Sequence, residues 1–133
     1  MNLIVDTSVW SLLLRRQNRE CNHPLVQKLK SCLELQDGIF LIGLILQEVL
    51  DGVRNEVQFY KLTEYFSVFP LLEIDRQDYV EASRLRNHCR SKGVQAGPAD
   101  FLIAAACIRW GYPLLTTDGD FTLIARHSPL VVL

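Results

Sequence analysis

The chain has 133 residues, 49 % of them apolar, and a formal net charge of −1. That length suits one domain with a single core, spanning 1–133, and is short for two. So small a charge provides no whole-molecule field to gather nucleic acid, and contact with a polyanion would have to rest on local basic patches or bound metal. The longest central apolar run, Phe40 to Leu46, falls well short of the roughly 20 residues that span a bilayer. The opening Met1-Asn2-Leu3-Ile4-Val5 lacks a basic leader and is cut by Asp6, so the expectation is a cytoplasmic protein with no membrane partner. Cys21, Cys32, Cys89 and Cys107 form no Cys-x-x-Cys and have no histidine at zinc-finger spacing, which favours reduced structural thiols.

Leu3-Ile4-Val5 predicts a first strand, and Asp6-Thr7-Ser8 is a helix-start signal for a helix carrying Val9, Trp10 and Leu12 to Leu14. A second helix follows Pro24, with Leu25, Val26, Leu29, Cys32 and Leu33 at three-to-four spacing. Asp37-Gly38 is a turn before Ile39–Ile42, an apolar run of the kind buried on both faces of a sheet. The next helix places Ile45, Glu48, Val49 and Gly52 on one side, and 55–66 predicts another. Phe69 to Ile74 predicts a strand, its Pro70 suiting an edge or a start. Asp75 begins a long polar-faced helix to about Ser91. Gly97-Pro98 opens a largely apolar helix that Gly111 closes. Tyr112–Thr116 and Leu130–Leu133 predict two last strands. Strands alternating with helices predict an α/β fold, a three-layer α/β/α sandwich around a mainly parallel sheet of four to five strands.

Ligands of open parallel sheets bind beyond the carboxyl ends of the strands. Asp6 and Asp118 directly follow strands, Glu48 lies in the helix after the second strand, and Asp100 lies in the first turn opened by Pro98. Each alone has an ordinary explanation: a helix cap, a dipole partner, a turn, a solvated helix residue. If the strands run parallel, the four converge. Carboxylates about 4 Å apart repel by about 4 kcal/mol at an effective dielectric near 20, so a cation or a shared proton is needed. No lysine or arginine lies within the Asp6, Asp100 or Asp118 motifs, and all-oxygen donors favour Mg²⁺, with Mn²⁺ as a substitute.

In order along the chain, Asp6-Thr7-Ser8, Gln47-Glu48-Val49-Leu50-Asp51-Gly52, Asp100-Phe101-Leu102-Ile103-Ala104-Ala105-Ala106 and Thr116-Thr117-Asp118-Gly119-Asp120-Phe121 resemble the four signature segments of PIN domains. Many PIN domains have asparagine at the position of Thr117. The resemblance covers nearly the whole chain and is greatest to VapC-type toxins. It implies metal-binding, catalytic acids at Asp6, Glu48, Asp100 and Asp118, with Ser8 and Thr116 as polar supports and Asp120 assisting or bracing its turn; Thr7 is a further candidate to orient metal-bound water. It further implies endoribonuclease activity, in which metal-activated water cleaves a phosphodiester to leave a 5′-phosphate and a 3′-hydroxyl. A homodimer and a small cognate antitoxin are the implied partners, with Trp10, Leu13, Leu14, Phe59, Tyr60, Tyr65 and Phe66 as candidate contacts, although apolar residues at helical spacing are more often core than interface. Whether RNA or DNA is cut, and which RNA, the residues leave open.

The basic stretch Arg84, Arg86, His88, Arg90 and Lys92 precedes the Asp100 motif, and Arg15, Arg16 and Arg19 follow the first helix. RNA-binding is expected of Arg84, Arg86, Arg90 and Lys92, against the alternative of a solvated helix face. Two other acid-rich α/β sites fit less well. A receiver domain needs paired acids at its first strand and a late lysine; a haloacid-dehalogenase-type phosphatase needs Asp-x-Asp, where Ser8 holds the second place. The remaining alternative is a catalytically inactive PIN fold that binds RNA or protein, which the retention of all four acids opposes.

Overall fold

The computed structural model describes residues 1–14 and 23–133. Its elements in chain order are β1 (Asn2–Val5), α1 (Thr7–Leu14), α2 (Pro24–Glu34), β2 (Gly38–Ile42), α3 (Gly43–Leu50), α4 (Glu56–Phe66), β3 (Leu71–Leu72), α5 (Arg76–Ser91), α6 (Pro98–Trp110), β4 (Leu114–Leu115) and α7 (Gly119–Ala125). Arg15, Arg16, Arg19 and Cys21 lie outside the described residues.

All the strand pairings are parallel, in the order β3-β2-β1-β4. Leu3, Ile4 and Val5 are fully buried because β1 is central and covered on both faces. The chain steps one way from β1 to β3, then returns across the sheet to β4 on the far side of β1. Right-handed crossovers turn that reversal into helices on opposite faces. Accordingly α1 packs on α2 and α3, and α3 on α4, while α5 packs on α6 and α6 on α7. The point of reversal lies between β1 and β4.

Local signals set the helix ends. Asp75 and Asp78 form a reciprocal capping box at the start of α5. Pro98 enters the first turn of α6, and Gly111 ends it at φ 70°, a left-handed conformation that favours glycine. Phe101, Ile103 to Ala106 and Cys107 bury most of α6 in the core.

Three expectations change. Phe69–Ile74 and Tyr112–Thr116 contribute only two paired residues each, at β3 and β4. Leu130–Leu133 forms no strand, only a parallel bridge between Val132 and Leu114, so the sheet has four strands among the described residues. Helix α7 was not expected: Asp118-Gly119-Asp120 is not a simple turn but the cap and first turn of a helix anchored by Phe121 and Ile124. Cys32, Cys89 and Cys107 are free and buried, as expected of structural thiols. Among the described residues, no helix is long and apolar enough to cross a membrane.

Candidate active site

Register brings the site together. Val5 pairs with Leu115, and the Asp6 amide donates to the Leu115 carbonyl at 2.9 Å, so Asp6 and Thr116 leave adjacent strands side by side. This is the carboxyl edge of the sheet at its switch point, where open α/β folds form a crevice.

Asp6 is 6 % exposed, and its surroundings explain how a carboxylate stays there. The hydroxyls of Ser8 (2.7 Å) and Thr116 (2.9 Å) both donate to Oδ2, with the Ser8 amide at 3.4 Å. Oδ1 accepts no bond among the described residues and is left for another donor or a cation. The network continues outward. The Thr117 amide donates to Ser8 Oγ at 3.1 Å and the Asp118 amide to Thr116 Oγ1 at 3.0 Å. Thr7 Oγ1 donates to Glu48 Oε2 at 3.0 Å, tying α3 to the residue beside Asp6.

Across the crevice, oxygens of Asp100, Asp118 and Asp120 lie within 4.8 Å of one another. The Asp100 carboxyl is pushed up to about 6, first by burial, then by the charge of Asp118, with smaller contributions from Asp120 and Asp6; a hydrogen bond with the Gly97 backbone opposes the rise. Among the described residues, no lysine, arginine or histidine makes an ion pair with any of these acids. The Asp6 charge also reaches the buried Cys107 thiol, pushed up to about 12 mainly by burial, which keeps that thiol protonated and inert.

Of the expected acids, Asp100 and Asp118 cluster, Asp6 lies near enough for its charge to act on Asp100, and Glu48 stands outside that cluster, tied by Thr7 to the residue beside Asp6. Asp120 stands in the cluster itself rather than merely bracing a turn: its amide donates to Asp118 Oδ1 at 2.9 Å while its own carboxylate turns toward Asp100. The Asp-x-Asp spacing at the start of a helix was its available signal. The donor set fits a hard divalent cation: oxygen ligands, concentrated negative charge and no counter-ion among the described residues.

The basic stretch on α5 does not act as one patch. Arg84 pairs with Glu81 at 3.6 Å and, with His88, lines a depression beside the last turns of α6, away from Asp100. That depression, about 510 Å³, contains Asp78, nearly fully buried and bound by Arg109, so its central charges are already matched. Arg86 instead lines a hollow with Pro98 and Ala99, next to Asp100. Arg90 and Lys92 are exposed. Trp10 and Phe66, candidate partner contacts, are core residues at 0 % and 2 % exposure, whereas Phe59, Tyr60 and Tyr65 are exposed.

A parallel α/β domain with unneutralised acids at its switch point belongs to the class that handles phosphates or metal at that crevice. The family model described as PIN domain matches residues 3–127, and the chain belongs to that family. Solved structures agree in fold. A chain of VapBC2 from Rickettsia felis, bound to a DNA fragment from its promoter, superposes with a TM-score of 0.77 at 18 % identity, covering 100 % of this chain and 98 % of that one. FitAcB from Neisseria gonorrhoeae gives 0.76 at 21 % identity over 98 % and 96 %. VapBC-5 from Mycobacterium tuberculosis, a member of the VapBC family of toxin–antitoxin systems, gives 0.69 at 19 % identity over 99 % and 97 %. No match is found among functionally curated proteins.

Thr116 makes a sharp local test. Its hydroxyl donates to Asp6 and accepts from the Asp118 amide, so Thr116→Val removes both while keeping shape. Outer hydrogen bonds of this kind are worth about 10- to 100-fold in metal affinity or activity. The expected result is a Mn²⁺ affinity lowered by about that factor in calorimetry, with a native far-ultraviolet spectrum; wild-type affinity would remove Thr116 from the site.

Proposed function

We propose that the chain is a Mg²⁺-dependent endoribonuclease, with Mn²⁺ able to substitute, acting as the growth-inhibiting toxin of a toxin–antitoxin pair. PIN-domain membership supports nuclease chemistry, and the likeness to toxin–antitoxin proteins supports the biological setting. The observation that carries the reading is the cluster of Asp100, Asp118 and Asp120, with the Asp6 charge reaching Asp100 and no basic partner among the described residues.

In this reading Asp6, Asp100 and Asp118 hold the cation, Asp120 completes the cluster, and Glu48 closes the side facing Thr7. The cation, when bound, supplies Lewis-acid polarisation of the scissile phosphate and a lowered pKa for water. The chain supplies geometry. Ser8 and Thr116 fix Oδ2 of Asp6, so its free oxygen presents one direction rather than several. Asp100 must shed the proton that burial and Asp118 favour, which ties metal capture to pH. Exposed Val57 and Tyr60 on α4 offer apolar surface to a small antitoxin or to a second copy in a homodimer.

The test is a nuclease assay on labelled RNA and DNA oligomers with and without Mg²⁺. The expected result is EDTA-sensitive cleavage of RNA by wild-type protein, lost in Asp6→Asn. Metal binding without cleavage would instead identify an inactive PIN fold serving as a binding module. In cells, expression should arrest growth, relieved by co-expressing a small upstream reading frame.

A further inference from the structure

The acids occupy only part of the rim. Two hollows of about 410 and 450 Å³ share Leu44, Tyr79 and Leu102 and so form one continuous groove. At one end it reaches Ala99, the neighbour of Asp100; along its other side it passes Gln47, the neighbour of Glu48. Asp100 and Glu48 line neither hollow, so the groove adjoins the acids through these sequence neighbours.

Its wall on α5 is a stripe. Tyr79, Ser83 and Arg86, which line it from α5, are spaced four and three residues apart, which places them on one helix face. Arg86 differs from its neighbours. Arg84 and Arg109 have carboxylate partners, but Arg86 makes no hydrogen bond or ion pair among the described residues, and its Nε is withdrawn from water. No acid lines the end of the groove where it stands. Tyr79, two helical turns away, is 58 % exposed, and its ring is paired with no other aromatic ring among the described residues. An unpaired guanidinium and an open ring along one groove match the phosphate and base of a single-stranded nucleotide.

We propose that this groove is a nucleotide subsite, Arg86 taking a phosphate and Tyr79 stacking on the base of a residue adjoining the scissile bond. The proposal rests on the nuclease reading above for its role, but its test is binding rather than turnover. A labelled single-stranded RNA octamer is titrated in EDTA by fluorescence anisotropy at several salt concentrations, with sedimentation of the same samples. Arg86→Gln should weaken binding about 10-fold and reduce the salt slope by about one. Tyr79→Ala should weaken it about 5- to 100-fold. Arg84→Gln, on the opposite face, should change it less than about 2-fold, as expected of a screened surface ion pair. All three should keep the wild-type Mn²⁺ thermal shift.

Wild-type RNA affinity in both Arg86→Gln and Tyr79→Ala would overturn the subsite. So would a changed monomer–dimer balance with RNA affinity retained, which would make the groove a copy–copy interface. A wild-type protein that binds no RNA overturns it as well. A parallel Mg²⁺ cleavage assay separates the two ideas. Cleavage that persists when the subsite fails leaves the nuclease assignment standing. Arg86-dependent binding without wild-type cleavage sinks the nuclease assignment and keeps the groove as an RNA site.

Discussion

Asp100→Asn should abolish Mg²⁺-stimulated cleavage, by at least about 10³-fold if metal-assisted hydrolysis supplies several kcal/mol of transition-state stabilisation. The same substitution should make the metal-free protein more stable. Asp100 sits at about 6 rather than 3.8 because burial and its acidic neighbours disfavour its charge. A raised carboxyl binds its proton more tightly folded than unfolded, so its charging penalises the fold. The penalty is absent below about pH 4, grows as pH rises towards 6, and is complete above that. After discounting for solvent screening of this half-exposed group, it amounts to about 1 kcal/mol, or about 3 °C in Tm. Metal-free Asp100→Asn at pH 7.5 should therefore melt about 3 °C higher than wild type, and the gap should close at pH 4. Metal reverses the order, because it stabilises only the wild type. Mg²⁺ affinity and activity should fall as pH drops below about 6, where a proton competes for Asp100. Differential scanning fluorimetry across pH, with and without Mg²⁺, reads all of this. A lower Tm for the metal-free variant at pH 7.5 would mean that Asp100 is a structural carboxylate rather than part of a strained acid cluster.

Trp10→Ala should carry the largest stability loss, about 3–5 kcal/mol. Trp10 is fully buried one turn after Asp6, and its amide bonds the Asp6 carbonyl at 3.2 Å. Its ring meets Phe66 edge-on at 5.0 Å, Tyr65 at 6.2 Å and Phe69 at a tilt at 5.3 Å. This cluster joins α1 to α4 and to the approach to β3, and so supports the turn that presents Asp6, Thr7 and Ser8. Losses of that size lower Tm by roughly 10–15 °C in a domain of this length. Trp10 Nε1 finds no hydrogen-bond partner among the described residues, so Trp10→Phe, which deletes that donor but keeps a ring, should cost less than half as much. Thermal unfolding followed by circular dichroism decides it. An Ala variant within 3 °C of wild type would show that the ring belongs to a partner's interface rather than to the core.

Much of this architecture is legible along the chain because local chemistry and global fold agree. Three fully buried residues run straight into Asp6, Pro98 and Gly111 bracket α6, and Asp75 signs the start of α5. Parallel strands then convert separated motifs into one crevice. What was not legible depends on pairing and on direction. The short β3 and β4, and the reduction of the C-terminal run to a bridge at Val132, reflect how few neighbours those segments find. Helix α7 was hidden because Asp118-Gly119-Asp120 reads equally as a turn, and with it went the place of Asp120 in the cluster. The basic run from Arg84 to Lys92 looked like one patch, yet helical geometry sends Arg84 and Arg86 to different grooves.

The central claim, that these carboxylates share a divalent cation, is tested most directly by anomalous diffraction from crystals grown or soaked with Mn²⁺. A strong peak is expected within about 2.5 Å of oxygens from Asp100 and Asp118, with Asp6 or Asp120 completing the inner ligands directly or through water. A crystal saturated with Mn²⁺ that shows the ion elsewhere, or these carboxylates turned apart with none between them, would contradict it.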